Sequence, residues 1–401
     1  MKNPMPVLQK LVKDEGGKII LLVMDGLGGL PVDGKTALEL ARTPNMDRLA
    51  SLHSVALMDP VFPGITPGSG PGHLSLFGYD PLEYDIGRGI LEALGVDMEV
   101  LPGDVTARGN FCTIKENIVV DRRAGRIPDE KNRELIEKLK EGIKEIDGVQ
   151  VILKSGKEHR FVVLFRGEGL TGSATDTDPH REGEPVLKSE PVDGGGRIAD
   201  VVNKFSVLAR EILKDEKPAN GVILRGITGA PHIPSFPEIY KMKSLAIATY
   251  PMYRGIAKLL GMDVAQMTGT NVKDEIDILK KHYNDYDYFF VHIKKTDSYG
   301  EDGNFEGKVS VIEEVDRLIP EILNLKPDVL AITGDHSTPA SYKAHSWHPV
   351  PLLLVSKWTR ISGVKGFNEK ECALGDMGRI PGIYLTSLLL AHAGRLDKYG
   401  A

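Results

Sequence analysis

Ile19-Ile20-Leu21-Leu22-Val23-Met24-Asp25 is a run of apolar residues closed by an aspartate. Two other stretches repeat the pattern. Tyr288-Phe289-Phe290-Val291-His292-Ile293-Lys294 leads to Asp297, and Val329-Leu330-Ala331-Ile332-Thr333-Gly334 leads to Asp335. Short runs of this kind predict buried strands of a parallel sheet. Ligands of open α/β sheets gather beyond the carboxyl ends of such strands. Three carboxylates at one edge repel one another unless cations lie between them. His336, His345 and His348 follow closely. The mixed oxygen and imidazole set predicts a metal site drawn from opposite ends of the chain.

The 401 residues predict two domains or three, with an ordinary globular balance of 41% hydrophobic and 26% charged residues. A net charge of -6 offers no basic surface for nucleic acid, while leaving room for local cations that bind a small anion. The 2 cysteines, Cys112 and Cys372, exclude a disulfide scaffold and suit a reducing compartment. No apolar segment reaches the roughly 18 residues of a membrane span. Met1 to Gly17 lacks the apolar core of a signal peptide. The expectation is a soluble cytoplasmic protein without membrane or nucleic-acid partners.

Alternation of strand and helix occurs at the two ends of the chain. Thr43-Pro44 reads as a helix cap followed by proline at the first helical position. After Lys243 the alternation resumes, with strands at Leu245–Ala248, Tyr288–Ile293, Val329–Thr333 and Pro351–Val355 and helices at Met252–Leu260 and Lys308–Leu323. Between about Asp85 and Pro237 the texture changes. Short strands at Asn110–Thr113, Asn117–Val120, Val149–Leu153, Phe161–Phe165 and Val222–Leu224 mix with helices at Asp129–Ile146 and Gly196–Leu213. The expected architecture is α/β: a mainly parallel sheet with helices on both faces, built from residues 1–85 and 238–401, with a smaller α+β domain, residues 86–237, inserted in it. Gly194-Gly195-Gly196 lacks the lysine and hydroxyl of a phosphate-binding P-loop, so no nucleotide is expected there.

Candidate chemistry begins with Ser69, in Thr66-Pro67-Gly68-Ser69-Gly70-Pro71-Gly72-His73-Leu74. Small neighbours let a phosphoryl group approach the hydroxyl, and a helix start adds amide donors. Serine needs a base or a metal ion to become a nucleophile; the plainer reading of Ser69 is a helix cap. Asp297 and Glu301 stand four residues apart beyond an apolar strand, and a solvated acidic loop is the plainer reading for them.

Taken together, the motifs resemble the alkaline phosphatase superfamily, and more narrowly the cofactor-independent phosphoglycerate mutases of the archaeal type. The markers are Val23-Met24-Asp25-Gly26, Gly68-Ser69 with Gly72-His73-Leu74, Gly78-Tyr79-Asp80-Pro81, Val120-Asp121-Arg122-Arg123-Ala124-Gly125-Arg126, Asp178-Pro179-His180, Lys295-Thr296-Asp297, Gly334-Asp335-His336, and His345-Ser346 with His348-Pro349-Val350-Pro351. The resemblance implies an isomerase of glycolysis and gluconeogenesis that interconverts 3-phosphoglycerate and 2-phosphoglycerate through a phosphoserine at Ser69. It implies two divalent ions, Mn²⁺ foremost with Zn²⁺, Co²⁺ or Mg²⁺ as alternatives, and neither 2,3-bisphosphoglycerate nor a nucleotide. One ion would be held by Asp25, Ser69, Asp335 and His336. The other would be held by Asp297, Glu301 and His345, with Glu301 standing where the family usually has histidine; glutamate favours harder cations. His348 would touch the substrate or support the ligands.

The expected insert also offers cations for a carboxylate and a phosphate. Arg122 and Arg126 lie in the shared motif, Arg225 ends a strand, and His180 sits in a polar loop; Arg254 begins a helix of the split domain. The insert is expected to close over the site and keep water from the phosphoserine, with hinges near Tyr84–Gly87 and Phe236–Lys243. A phosphohydrolase or another phosphomutase of the same superfamily is the alternative enzyme, and an inactive metal-binding or interaction protein the alternative of another class. A homo-oligomer is compatible with every one of these.

Overall fold

In a computed structural model, the described residues are 3–84 and 86–400. Asp85, within the first expected hinge, lies outside them. The chain forms two compact units, one from residues before 86 and after 232, the other from 86–232. The insert thus ends at His232, a few residues before the sequence-based boundary at Pro237, because Ile233 and Phe236 are buried with the split unit.

The split unit holds an eight-stranded sheet in the order Asp263–Val264, Ser244–Ala248, Tyr288–Ile293, Ile19–Met24, Val329–Thr333, Val350–Ser356, Ser54–Asp59, Arg379–Pro381. Ile19–Met24 pairs in parallel with Tyr288–Ile293 on one side and with Val329–Thr333 on the other. All three are buried along their whole length, which is why they read as unbroken apolar runs. Alternate residues still divide between two cores. Ile20, Leu22 and Met24 pack with Phe289, Val291, Leu330 and Ile332 against helices Pro44–Leu52, Val272–His282 and Phe305–Leu323. On the other face, Phe290 meets Phe77 edge-on at 4.9 Å between ring centres and His73 at 5.5 Å.

Among the described strands of this sheet, only Val350–Ser356 runs against its neighbours. That reversal positions the site. The parallel strands end at one edge, where Asp25, Lys294, Gly334 and Asp335 follow them. The reversed strand starts at the same edge, so the residues just before it, His345 and His348, arrive there from the opposite chain direction. Ser69 opens the helix Ser69–Leu76 after the loop that leaves Ser54–Asp59. Gly72 in that helix lies on the backbone of Asp335: a Cβ there would come within 2.5 Å of the Asp335 carbonyl oxygen. A side chain at this position would push Ser69 away from the strand end.

The inserted unit is an antiparallel sheet around Val105–Lys115, which pairs with Gly221–Gly229 and Arg160–Arg166. Val105–Lys115 extends well beyond the expected short strand because its alternate residues Val105, Ala107 and Phe111 face a core made with helices Asp129–Gly142 and Gly196–Leu213. Among the described residues no helix is long and apolar enough to cross a membrane.

One local expectation needs correction. Thr43 stands at the cap position of helix Pro44–Leu52, but its hydroxyl makes no capping bond. The first-turn amides of Asn45 and Met46 instead donate to Asp316, 1% exposed on helix Phe305–Leu323, at 3.3 and 2.8 Å. Replacing Asp316 by alanine removes a buried acceptor from two amides, and we expect a loss of about 1–3 kcal/mol. Equilibrium urea unfolding checks this, with Thr43→Ala expected to change stability by less than half as much.

Candidate active site

Asp25, Asp335 and His336 meet at the carboxyl edge with no exposed surface. His336 Nε2 lies 3.1 Å from Asp25 Oδ1 and 3.2 Å from Asp335 Oδ2. These three atoms are buried and have no hydrogen-bond partner. Two carboxylate oxygens and one imidazole nitrogen therefore face one another across a space where, among the described residues, none of the three atoms finds a hydrogen-bond partner. Burial, and next the charge of Asp25, push the Asp335 carboxyl well above its usual range. Burial acts the same way on Asp25, but His292, His336 and Lys294 beside it overrule that and hold it well below the usual range. Two charges about 4 Å apart cost on the order of 4 kcal/mol even at an effective dielectric of 20. A divalent cation removes that cost, and the donor set of two carboxylates and an imidazole suits one.

A second group joins Asp297, His336 and His345, whose ligand atoms all lie within 4.8 Å of one another. His345 Nε2 is 3.6 Å from Asp297 Oδ1, and its ring stacks on that of His336 at 3.6 Å. His345 Nδ1–H donates to the Pro67 carbonyl at 3.0 Å, which leaves Nε2 as the lone-pair nitrogen facing Asp297. Glu301 stands at the rim, 54% exposed, with Oε1 3.8 Å from His345 Nε2. Burial and the charge of Asp297 raise its carboxyl pKa.

Thr338 links the two groups. Its hydroxyl donates to Asp297 Oδ1 at 2.7 Å and accepts from His336 Nδ1–H at 2.9 Å. That pattern assigns the proton of His336 to Nδ1 and turns the lone pair of Nε2 toward Asp25 and Asp335. Beneath, buried Lys308 donates to the carbonyls of Gly26, Gly28 and Thr338 at 2.7, 3.0 and 2.8 Å. Burial pulls its ammonium down to about 8. Gly26, at φ 63°, is the turn this knot requires: a Cβ would fall 2.5 Å from Thr338 Oγ1 and 2.9 Å from Asp297 Oδ1.

Ser69 is the first residue of its helix, capped by Gly68 without a side-chain bond. The helix-cap reading of its hydroxyl therefore fails: Oγ meets the Tyr253 hydroxyl at 3.3 Å. Tyr253 also donates to Asp25 Oδ2 at 2.6 Å. Lys294 Nζ bridges Asp25 Oδ2 at 3.0 Å and Asp297 Oδ2 at 2.5 Å. His73 is buried against Asp335 Oδ2 at 3.3 Å, and burial pulls its imidazole down to about 3, so it is neutral. His348 Nδ1 lies 3.1 Å from Ser346 Oγ, with its ring against Trp347. Arg254 lies on helix Pro251–Leu259, next to Tyr253.

The inserted unit brings three of its four expected substrate-binding residues together. Arg122 makes a two-pronged pair with buried Asp178, at 2.9 and 2.6 Å. Arg225 Nε lies 3.7 Å from both Asp176 and Asp178, and His180 Nε2 lies 3.2 Å from Asp176. Arg126 is not in this group. It is 59% exposed and points to Glu158 at 3.9 Å, because the chain turns left-handed at Ala124, Gly125 and Arg126.

Sequence reasoning missed Tyr253, Lys294, His73, His292, Thr338 and Lys308. A polar residue inside an otherwise apolar strand, His292, was one available signal; Tyr253 and Lys308 act through partners far away in sequence. Thr338→Val removes the bond that fixes the His336 tautomer. It is expected to weaken Mn²⁺ binding about 10–100-fold, read by calorimetric titration of the metal-free protein, and an unchanged affinity contradicts this role.

The geometry can be set beside known proteins. A sequence model of the 2,3-bisphosphoglycerate-independent phosphoglycerate mutases matches residues 50–220. A protein named a probable member of that enzyme class from Thermotoga maritima is 56% identical over 395 residues, covering 98% of each chain. One from Aquifex aeolicus is 56% identical over 407 residues, covering 99% of this chain and 100% of its own. A solved structure titled cofactor-independent phosphoglycerate mutase from Thermoplasma acidophilum superimposes with a TM-score of 0.79 at 34% identity, covering 94% of this chain and 100% of the other.

Proposed function

The chain belongs to the 2,3-bisphosphoglycerate-independent phosphoglycerate mutase family, and from that premise we propose that Ser69 carries a phosphoryl group between the 3- and 2-positions of glycerate. The observation that supports this best is the shared Tyr253 hydroxyl, which meets both Ser69 Oγ and Oδ2 of Asp25, a member of the Asp25, Asp335 and His336 group.

Ser69 Oγ attacks the phosphorus of 3-phosphoglycerate. The bond from phosphorus to the 3-oxygen breaks, and that oxygen leaves with the electron pair and takes up the proton that Ser69 gives up. Glycerate then presents its 2-hydroxyl, which attacks the phosphoserine. The P–Oγ bond breaks, the pair returns to Ser69, which takes up the proton lost by the 2-hydroxyl, and 2-phosphoglycerate leaves. Amide donors at the start of helix Ser69–Leu76 face the phosphoryl oxygens. Divalent ions, with Mn²⁺ preferred, held by Asp25, Ser69, Asp335 and His336 and by Asp297, Glu301 and His345, would supply the charge that lowers the serine pKa and offsets that of the phosphoryl group. Lys294 adds a fixed positive charge: burial lowers its pKa, but Asp25 and Asp297 more than reverse that, so it stays protonated. Arg122, Arg225 and His180 of the inserted unit, with Arg254 and His348, would bind the carboxylate and phosphate of the substrate. Arg126, set apart on its own turn, is the weakest member of that set.

An enolase-coupled assay tests the reading. The protein is expected to turn 3-phosphoglycerate into 2-phosphoglycerate without added 2,3-bisphosphoglycerate, to lose activity in chelator, and to regain it with Mn²⁺. Release of inorganic phosphate without isomerisation would instead make it a phosphohydrolase. Ser69→Ala should fold and lose turnover by roughly three orders of magnitude or more.

Arg225→Met should raise KM about tenfold and leave the unfolding midpoint unchanged, since its carboxylate contacts are long. Steady-state kinetics on both phosphoglycerates reads this, and an unchanged KM removes Arg225 from the substrate site.

A further inference from the structure

We propose that Tyr253 is a positioning residue whose hydroxyl ties the Ser69 nucleophile to the Asp25 carboxylate; this rests on the phosphoserine reading above. Tyr253 has no exposed surface. Its ring packs against His292, at 3.9 Å between centres, and His73, at 4.7 Å. Those rings come from the strand Tyr288–Ile293 and the helix Ser69–Leu76, so the phenol is fixed by the same two elements that carry the site.

The hydroxyl has one proton and two lone pairs, and three groups around it. Asp25 Oδ2 accepts its proton at 2.6 Å. Its oxygen is 3.4 Å from Lys294 Nζ and 3.3 Å from Ser69 Oγ, so it can accept from both. A serine side chain has three staggered rotamers, and this contact selects the one that meets the Tyr253 hydroxyl. Asp25 divides its oxygens accordingly: Oδ1 faces His336, while Oδ2 is held by Tyr253 and Lys294.

The same hydroxyl serves the second transfer. When the P–Oγ bond breaks, the electron pair stays on Oγ. Tyr253 is then within reach to donate its O–H to that oxygen, while Lys294 keeps Asp25 Oδ2 bonded at 3.0 Å. No proton leaves the tyrosine at either stage.

Tyr253→Phe keeps the ring against the two histidines and removes only the hydroxyl. The expected result is a kcat lower by about 10–100-fold, with KM within twofold of wild type. The rate of Ser69 phosphorylation, measured by rapid quench with ³²P-labelled 3-phosphoglycerate, should fall by the same factor. Mn²⁺ content and thermal midpoint should stay as in wild type. A kcat within twofold of wild type overturns the proposal. So does a kcat loss matched by loss of bound Mn²⁺, because the hydroxyl would then serve Asp25 alone. Tyr253→His is the second variant if the first does not fold: its shorter ring cannot reach Ser69, and wild-type kcat there overturns the proposal equally. A wild-type protein that never labels at Ser69 contradicts the phosphoserine reading and this proposal with it. A labelled wild type beside an unimpaired Tyr253→Phe contradicts this proposal alone.

Discussion

Two buried carboxylates and one imidazole nitrogen share a space without a hydrogen bond among them, and the surrounding architecture exists to keep them there. Such an arrangement is unfavourable in a chain left to itself. Burial raises the cost of each charge, and neighbouring charges of one sign raise it further. The protein offsets part of it with Lys294, which reaches both Asp25 and Asp297. The remainder is the physical argument for a bound cation.

The frame that holds these groups is a sheet whose central strands are apolar on both faces. Asp25 and Asp335 follow neighbouring parallel strands, so their backbones are fixed by the register between Ile19–Met24 and Val329–Thr333. Finer alignment comes from short loops knotted together. Lys308 gathers three carbonyls from two loops, and Thr338 couples Asp297 to His336. Ser69 reaches the same edge because Gly72 allows its helix to touch the backbone of Asp335. Each device is a close approach that a larger or apolar side chain would break.

The strands Ile19–Met24, Tyr288–Ile293 and Val329–Thr333 could be read from sequence to the residue, because full burial on both faces leaves an uninterrupted apolar signature. The acidic and imidazole candidates were legible for a related reason: strand ends concentrate such residues at one edge. Supporting contacts were not legible. Tyr253 follows Met252 in an ordinary amphipathic helix, and only the fold reveals that its hydroxyl faces Ser69. Asp316 looks like a surface residue of a long helix, yet it caps another helix some 270 positions away in the chain. Arg122 and Arg126 share one motif and read as a pair; the left-handed turn between them separates their side chains. Local pattern carries periodicity and strand ends, whereas hydrogen-bond partners are set by tertiary approach.

The central claim is that a cation neutralises Asp25, Asp335 and His336. Crystals grown with Mn²⁺ and measured at the manganese absorption edge test it most directly. The account predicts an anomalous peak about 2.0–2.3 Å from Asp25 Oδ1, Asp335 Oδ2 and His336 Nε2. An empty space there, with Asp335 protonated and hydrogen-bonded to Asp25, would contradict it.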